Sequence, residues 1–267
     1  MADRLILLTN DDGIHSPGLW AAAATLQALG EVVVVAPQNQ CTSIGRSMPT
    51  HSTGRIATLT QAHAGRVWTA YAVDGTPAQA VQHALLEILP RRPDLVVAGI
   101  NYGDNVGTGV TVSGTVGATL EAASFGVPAL AVSQDTDPEH HYSHSEEVDF
   151  SGAGYFTAYF AARMLAAPLP ADVDILKIEV PRHATPATRW RMTRLSRTRF
   201  YFPVKAERLD WSQPGPLGYR VEIEHDRLEP DSDVRAVAVD GVVAVTPLSV
   251  DLTSRVDLDS LARQLAG

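Results

Sequence analysis

Cysteine is almost absent from this sequence, with Cys41 the single one among 267 residues. One cysteine excludes an intramolecular disulfide and a metal site built from several thiolates. Long apolar runs are missing as well. The run at residues 5–8 ends before Asn10 and is too short for the core of a signal peptide, and no later run approaches the ~18 residues of a membrane-spanning helix. These absences predict a soluble, cytoplasmic protein that does not enter a membrane.

Positive charge is also scarce, because 21 Lys and Arg stand against 30 Asp and Glu, for a formal charge of -9. This balance argues against binding duplex nucleic acid by neutralising its phosphates. A small anionic substrate remains compatible, since one locally positive site can outweigh a distant negative surface.

Four catalytic or nucleotide-binding motifs are absent: G-x-G-x-x-G after the first strand, G-x-x-x-x-G-K-[ST], H-E-x-x-H and G-x-S-x-G. Their absence disfavours dinucleotide oxidoreductases, P-loop NTPases, zincins and serine hydrolases.

Short apolar segments alternate with helix-like segments over the first half of the chain. Continuous apolar runs are typical of parallel strands buried on both faces. The predicted strands are residues 5–8, 32–35, 94–98 and 128–133. In the first interval Ser16 and Pro17 suit the start of a helix and Gly30 suits its end. Further helices are predicted from residue 76 to about 89 and after residue 114. The alternation predicts a doubly wound, mostly parallel α/β sheet with ligands at the carboxyl ends of its strands.

The second half departs from this alternation. Residues 134–147 are polar and rich in histidine, which predicts a loop. Residues 181–229 are rich in arginine, aromatic and turn-forming residues, which predicts extended strands or a hairpin projecting from the sheet. Residues 151–165 and 258–265 are predicted helices, and residues 242–245 a strand. We expect a catalytic core at 1–180, an extended oligomerisation arm at 181–230 and a C-terminal segment at 231–267 that returns to the core.

Two adjacent carboxylates lie where the first strand ends, in T-N-D-D-G at residues 9–13. Asp11 and Asp12 must repel each other, and a bound divalent cation is the simplest way to offset that cost. Hard oxygen ligands favour magnesium, manganese or calcium over zinc. Alternatively, the segment is only a favourable turn, but its place at the carboxyl end of the strand favours a site. Asn10 and Gly13 are candidate substrate-binding residues of the same turn.

A second candidate segment is the glycine-rich stretch at residues 99–109, which continues through S-G-T-V-G-A into a helix. Glycines let backbone amides approach a ligand, and a helix N-terminus presents free N–H groups that suit phosphate. The alternative is an ordinary flexible loop followed by a serine cap. Because the stretch follows a parallel strand, it should share a sheet edge with Asp11. The candidate phosphate-binding residues are Asn105, Ser113, Gly114 and Thr115.

A third segment, residues 36–47, supplies hydroxyls and one arginine beside the proposed metal site. Four residues separate Cys41 from Arg46, whereas a tyrosine phosphatase needs five, so we interpret Cys41 as a packing residue. Two other clusters are interpreted as solvated. They are the histidines His140, His141 and His144, which lie in a polar loop without further ligands, and the arginines between residues 189 and 199, which suit a hairpin face or an oligomer contact.

Three segments together resemble the SurE family of survival proteins: residues 7–19, 36–47 and 93–118. The G-T-P-A at 75–78 and V-T-P-L at 245–248 match as well, and their order and spacing cover nearly the whole chain. The resemblance implies a Rossmann-like core, a swapped C-terminal arm, and homodimers or homotetramers. It also implies metal-dependent release of phosphate from nucleoside 5'-monophosphates, with 3'-monophosphates as further candidate substrates.

The same resemblance implies a ligand set for one magnesium or manganese ion per subunit. The family's metal ligands fall on Asp11, Asp12 and Asn101, which are also the candidate catalytic residues. Our own hypothesis for the general base is Asp12. The fourth ligand in the family is a serine, and here Thr42 stands in its place with Ser43 next to it. Either hydroxyl could reach the metal. Gln38 stands where an acid is common in the family.

Two other function classes remain open at this point. An aspartyl-phosphate phosphatase of the haloacid dehalogenase kind needs two acids separated by one residue, whereas Asp11 and Asp12 are adjacent. Trapping with beryllofluoride at an aspartate would favour that class. A non-catalytic nucleotide sensor would bind a monophosphate tightly and release no phosphate.

Overall fold

The computed structural model of the protein describes residues 4–267. Over that range, strands and α-helices alternate along the chain with the bounds that follow. They are β1 (Leu5–Thr9), α1 (Pro17–Leu26), β2 (Glu31–Pro37), β3 (Ile56–His63), β4 (Arg66–Val73), α2 (Pro77–His83), β5 (Leu95–Tyr102), α3 (Gly114–Ser124), β6 (Ala129–Gln134), α4 (Ser151–Ala166), β7 (Ile175–Val180), β8 (Trp190–Met192), β9 (Tyr201–Val204), β10 (Gly218–Val221), β11 (Val243–Leu248) and α5 (Leu258–Ala266).

Within residues 4–267, nine strands form one sheet in the order β3-β4-β2-β1-β5-β6-β7-β11-β8. The strands from β4 to β7 in this order are parallel, whereas β3 is antiparallel to β4 and β11 is antiparallel to β7. From β1 the chain first builds the side that holds β2 and β4, and then crosses to build the side that starts with β5. The strand order therefore reverses between β1 and β5, which opens a crevice at their carboxyl ends. The predicted doubly wound α/β fold is confirmed.

The first strand is apolar on both faces because helices cover both faces of the sheet. Ile6 and Leu8 pack with residues of α1 and α4, whereas Leu7 packs on the opposite face with residues of α2 and α3. All three side chains are fully buried. Burial of each such side chain stabilises the fold by about 1.5–3 kcal/mol, and this two-sided burial is the physical reason for the continuous apolar run.

The helices that border the sheet begin where the sequence predicts. Pro17 opens α1, but the Ser16 hydroxyl makes no capping hydrogen bond, so the predicted side-chain cap is wrong. At α2, the Gln79 N–H donates to the Thr76 hydroxyl and the Thr76 N–H donates to the Gln79 side chain, which together form a capping box. A wider turn at Ala84–Ile88 continues α2 close to the predicted end at residue 89.

The arginine-rich region splits between two sheets. Strands β9 and β10 pair antiparallel as a separate two-stranded sheet, which confirms the expected hairpin. Strand β8 instead joins the main sheet beside β11. Strand β11 lies between β7 and β8 in the main sheet, and α5 is exposed along its whole length. The division at residues 180 and 230 stays a prediction. Over residues 4–267, no helix is long and apolar enough to span a bilayer.

Candidate active site

The acidic pair lies directly after β1, beside the point where the strand order reverses. Only 3% of Asp11 and 1% of Asp12 is exposed. The turn that follows is held by Asn10, whose Nδ2 donates to the Gly13 carbonyl at 3.0 Å and whose Oδ1 accepts from the Gly13 N–H at 3.2 Å. The Cys41 N–H donates to the Asp11 carbonyl at 2.7 Å. Asn10 and Gly13 thus shape the turn, and their binding of substrate stays a prediction.

The N-terminus of α3 is directed at Asp11. The Thr115 hydroxyl donates to Asp11 Oδ1 at 2.5 Å, and the backbone N–H groups of Gly114 and Thr115 also favour the charged carboxylate. A Cβ at position 114 would lie 2.6 Å from the Asp11 Cβ, so only glycine fits there. Burial raises the pKa of Asp11 from 3.8 to about 6 despite these hydrogen bonds.

Asp12 is held between two loops, which by their order along the chain are the second loop (residues 36–47) and the third loop (residues 99–109). Its Oδ2 accepts from the Tyr102 N–H and its Oδ1 accepts from the Gln40 side-chain amide, both at 3.2 Å. Burial, and next the charge of Asp11, raise the pKa of Asp12 well above its ordinary value. Among residues 4–267, neither carboxylate has a basic partner that would offset the cost of burying its negative charge.

The donor set around the pair fits a hard divalent cation. Asn101, at the end of β5, uses Nδ2 to donate to the carbonyls of Tyr102 and Gly103 at 3.1 and 2.8 Å. This orientation leaves its Oδ1 as an acceptor of the kind that magnesium and manganese prefer. No cluster of three or more His, Cys, Asp or Glu suited to a metal occurs in residues 4–267. A cation here therefore needs amide and hydroxyl oxygens besides the two carboxylates.

A cavity of about 480 Å³ opens at this edge of the sheet. Its polar lining includes six of the predicted site residues, namely Asp11, Thr42, Ser43, Asn101, Asn105 and Ser113. The rest of the lining includes several aromatic side chains and one arginine, namely His141, Tyr142, Arg199, Phe200, Tyr201 and Tyr219. The structure thus brings the second and third loops to Asp11, as expected from parallel strands. It also adds residues that the sequence analysis did not assign to the site, among them His141 and Arg199, which were interpreted as solvated.

Several predicted phosphate-binding groups already have protein partners. The Ser113 hydroxyl accepts from the Val116 N–H at 3.1 Å and caps α3. The Asn105 side chain donates to the Ser133 hydroxyl at 2.8 Å, and its backbone N–H donates to Glu179 at 3.0 Å. Binding of phosphate by Asn105, Ser113, Gly114 and Thr115 stays a prediction.

The histidine-rich loop contradicts the expectation that it is solvated. His141 is only 8% exposed, and its Nδ1 lies 2.8 Å from the Tyr219 hydroxyl. A Cβ at Gly103 would lie 2.5 Å from His141 Nε2, so the ring packs directly on the third loop. Burial lowers the pKa of His141. His144 adds a contact of 2.6 Å between its Nε2 and the Asp12 carbonyl. No pattern in the sequence indicated that the distant β9–β10 hairpin covers this loop.

Cys41 has the environment of an unreactive thiol. Burial, and next the charge of Asp11, raise its pKa from 9.0 to about 11. A nucleophilic cysteine needs the opposite shift, because the thiolate is the reactive form. This supports its interpretation as a packing residue.

The fold and the site define the class of this chain: a doubly wound α/β protein with a buried acidic pair at its switch point. The family described as "Survival protein SurE" matches residues 6–201. A curated relative, 5'-nucleotidase SurE of Thermococcus gammatolerans, is 42% identical over 98% of this chain and 96% of its own. The 5'-nucleotidase SurE of Thermococcus kodakarensis is 40% identical over 97% of this chain and 98% of its own. The crystal structure of the Aquifex aeolicus SurE protein aligns with a TM-score of 0.76 and 29% identity, covering 98% of this chain and 99% of that one. The chain belongs to the SurE family.

Proposed function

We propose that this protein is a metal-dependent phosphomonoesterase that hydrolyses nucleoside 5'-monophosphates to nucleoside and phosphate. Nucleoside 3'-monophosphates are further candidate substrates. The observation that carries the proposal is the buried pair Asp11 and Asp12, which lacks a basic partner in residues 4–267 and lies beside Asn101 at the switch point. The names of the curated relatives, 5'-nucleotidase SurE, support the substrate class.

The proposed ligand set holds one magnesium or manganese ion per subunit. It consists of the Asp11 and Asp12 carboxylates, Asn101 Oδ1 and a hydroxyl of Thr42 or Ser43. A bound divalent cation supplies Lewis-acid polarisation of the phosphoryl group and a lowered pKa for the attacking water.

Asp12 is the proposed general base that accepts a proton from the attacking water. The Tyr102 N–H and the Gln40 amide fix the orientation of its carboxylate, and proton transfer depends on such positioning. Thr115 and the N-terminus of α3 hold Asp11 in turn. Arg199 brings a positive charge to the cavity lining, which suits the charge of a phosphate ester.

A phosphate-release screen over 5'- and 3'-mononucleotides, with EDTA, magnesium and manganese arms, tests this function. We expect release with either metal and none with EDTA. Tight nucleotide binding without release in any arm would instead indicate a sensor. An aspartate trapped by beryllofluoride would indicate the aspartyl-phosphate class.

We propose that the hydroxyl ligand comes from Thr42 and not from its neighbour Ser43. Both side chains are exposed in the loop after β2 and line the cavity. Thr42→Val keeps the shape of the side chain but removes its oxygen, so manganese affinity should fall at least about tenfold while thermal unfolding without metal stays unchanged. Ser43→Ala is the matched control in the same loop. A silent Thr42→Val together with weakened metal binding in Ser43→Ala would reverse the assignment.

We propose that the chain forms a homodimer or homotetramer. Large apolar side chains are exposed at the tip of the β9–β10 hairpin and in the C-terminal segment, where Leu209, Trp211 and Leu252 are 99%, 90% and 88% exposed. Exposed apolar surface of this kind favours contacts between chains. Light scattering should give at least twice the chain mass of 28.6 kDa. A monomer at micromolar concentration would contradict the proposal.

We also propose a cytoplasmic location. The support is compositional, because a reducing compartment suits a chain with the single cysteine Cys41.

A further inference from the structure

Three aromatic side chains form one wall of the active-site cavity. This aromatic wall consists of His141, Tyr201 and Tyr219. The His141 and Tyr219 rings lie nearly parallel, with 9° between their planes and 6.2 Å between their centroids. The Tyr201 ring stands at 90° to Tyr219, with 5.3 Å between the centroids. The cavity therefore joins an acidic, polar part at Asp11 to an aromatic part.

The β9–β10 hairpin fixes both tyrosines on one face. Tyr201 pairs directly with Val221, and Tyr219 lies two residues before Val221 on the same strand. Direct cross-strand partners and residues two apart share a face, so the two rings are diagonal neighbours. The opposite face holds Phe202, with the Arg220 guanidinium 5.4 Å from its ring centroid. Pairing in this register turns the tyrosines toward the loop that carries His141.

The wall is more than packing around His141. Phe200, which precedes the hairpin, is buried in a small core with Val106, Leu228 and Val234. Tyr201 is half-buried, and its hydroxyl contacts the backbone of Asp104. Tyr219 differs, because 36% of it stays exposed in the cavity lining. A planar ligand group can therefore contact the Tyr219 ring without displacing the core.

We propose that the aromatic wall is the subsite for the nucleobase of the substrate, which it binds by stacking against Tyr219. The inference rests on the proposed function and extends it to the part of the substrate that does not react. A cavity of about 480 Å³ lies within the range of about 300–1,000 Å³ typical of small-ligand sites. It joins the phosphate end at Asp11 to an aromatic surface for the base.

Stacking predicts a particular specificity. Every base has an aromatic face, so stacking binds all nucleobases while it selects against esters that lack a base. The Tyr219 hydroxyl already contacts His141 Nδ1, and this contact helps to hold the Tyr219 ring in place for stacking. We therefore expect a preference for nucleotides over sugar phosphates and only a modest preference among bases.

Steady-state kinetics on AMP and ribose 5-phosphate test the subsite, because the two esters share the reacting phosphate and differ in the base. Tyr219→Leu removes the ring but keeps apolar contact. We therefore expect KM for AMP to rise about tenfold, an effect toward the lower end of what base stacking contributes to binding. KM for ribose 5-phosphate and kcat for both esters should change by less than about twofold, because stacking binds substrate and transition state alike. Tyr219→Phe loses the hydroxyl contact with His141 but keeps the ring on which the base stacks, so it should retain most of the affinity for AMP.

Tyr155→Leu is the matched control. Tyr155 lies on α4, is 39% exposed compared with 36% for Tyr219, and does not line the cavity. Its removal should leave both KM values unchanged. An equal rise of KM for both esters in Tyr219→Leu, or no rise for AMP, would overturn the subsite.

Failure of the proposed function gives a different result, because wild-type protein would then release phosphate from neither ester. In that case calorimetric titration with AMP and with ribose 5-phosphate still measures the contribution of the base. Tighter binding of AMP that is lost in Tyr219→Leu supports the subsite, and equal binding of the two esters overturns it.

Discussion

Asp11→Asn and Asp12→Asn are expected to lower phosphate release from AMP by roughly 10²–10⁴-fold while both variants stay folded. Each substitution keeps the size of the side chain and one acceptor oxygen, but removes one charged ligand of the proposed cation. If the segment were only a turn, asparagine would serve as well as aspartate. Turnover at the wild-type level in either variant would contradict the account.

The same variants should not lose stability in metal-free buffer. Burial raises the pKa of Asp11 from 3.8 to about 6, so the folded chain binds this proton more tightly than the unfolded chain. The associated stability is present below pH 3.8 and is lost as the pH rises through about 6. Above about pH 6 the wild type therefore carries the cost of a buried Asp11 charge beside Asp12, whose own pKa is raised by burial and by that charge, and neutralising either side chain relieves part of this cost. Thermal unfolding of the metal-free proteins between pH 4 and 7 measures the difference.

Added metal should make the wild type more stable than either variant. Wild-type protein should gain about 2.7 kcal/mol at a hundredfold excess of cation over its dissociation constant, because only the folded chain brings the two carboxylates together. Asp11→Asn and Asp12→Asn should gain much less. Equal stabilisation of all three proteins would show that the metal binds elsewhere.

Lys177→Met should destabilise the fold by about 3–5 kcal/mol, the typical cost of leaving buried charges unpaired. The Lys177 ammonium lies 3.1 Å from both Glu179 and Asp233, and all three side chains are fully buried. Burial lowers the pKa of Lys177, but these two carboxylates outweigh it and keep the pKa above its ordinary value. Without the lysine, both acids remain buried next to Asp104, whose pKa is already raised by burial.

The network matters for the site because it anchors the third loop. Glu179 accepts from the Asn105 N–H at 3.0 Å, and Asp233 accepts from the Gly107 N–H at 3.1 Å. Denaturant unfolding of Lys177→Met measures the loss of stability. Lys205→Met is the matched control, because Lys205 is exposed and should contribute little. A change below about 1 kcal/mol in Lys177→Met, the level of an exposed pair, would contradict the assigned role.

Buried strands were predictable where their residues are apolar throughout. Residues 5–8 and 32–35 revealed β1 and β2 because both faces of the sheet are covered. Strand β7 gave no such signal, since Lys177 and Glu179 interrupt it and are buried only through their ion pair. The β3–β4 hairpin was missed as well. Its first strand is half-exposed, and Ala64 and Gly65 form its turn at positive φ without the usual asparagine.

The acidic end of the site was predictable because its residues follow consecutive parallel strands. Asp11 and Asn101 lie at the ends of β1 and β5, which pair directly, so local sequence indicated their proximity. The aromatic end was not predictable in this way. His141 and Tyr219 meet only because the hairpin packs onto a loop far away in the sequence, and neither segment indicates the other. Long-range packing of this kind leaves no periodic pattern.

Whether the acidic pair holds a catalytic cation is measured by the rate of phosphate release from AMP during a manganese titration of wild-type protein that was first dialysed against EDTA. We expect no release before the titration, and release that rises until one ion is bound per chain. Asp11→Asn should stay inactive over the same range. Full activity in the metal-free protein, or saturable activation of Asp11→Asn to the wild-type rate, would contradict a catalytic cation held by the acidic pair.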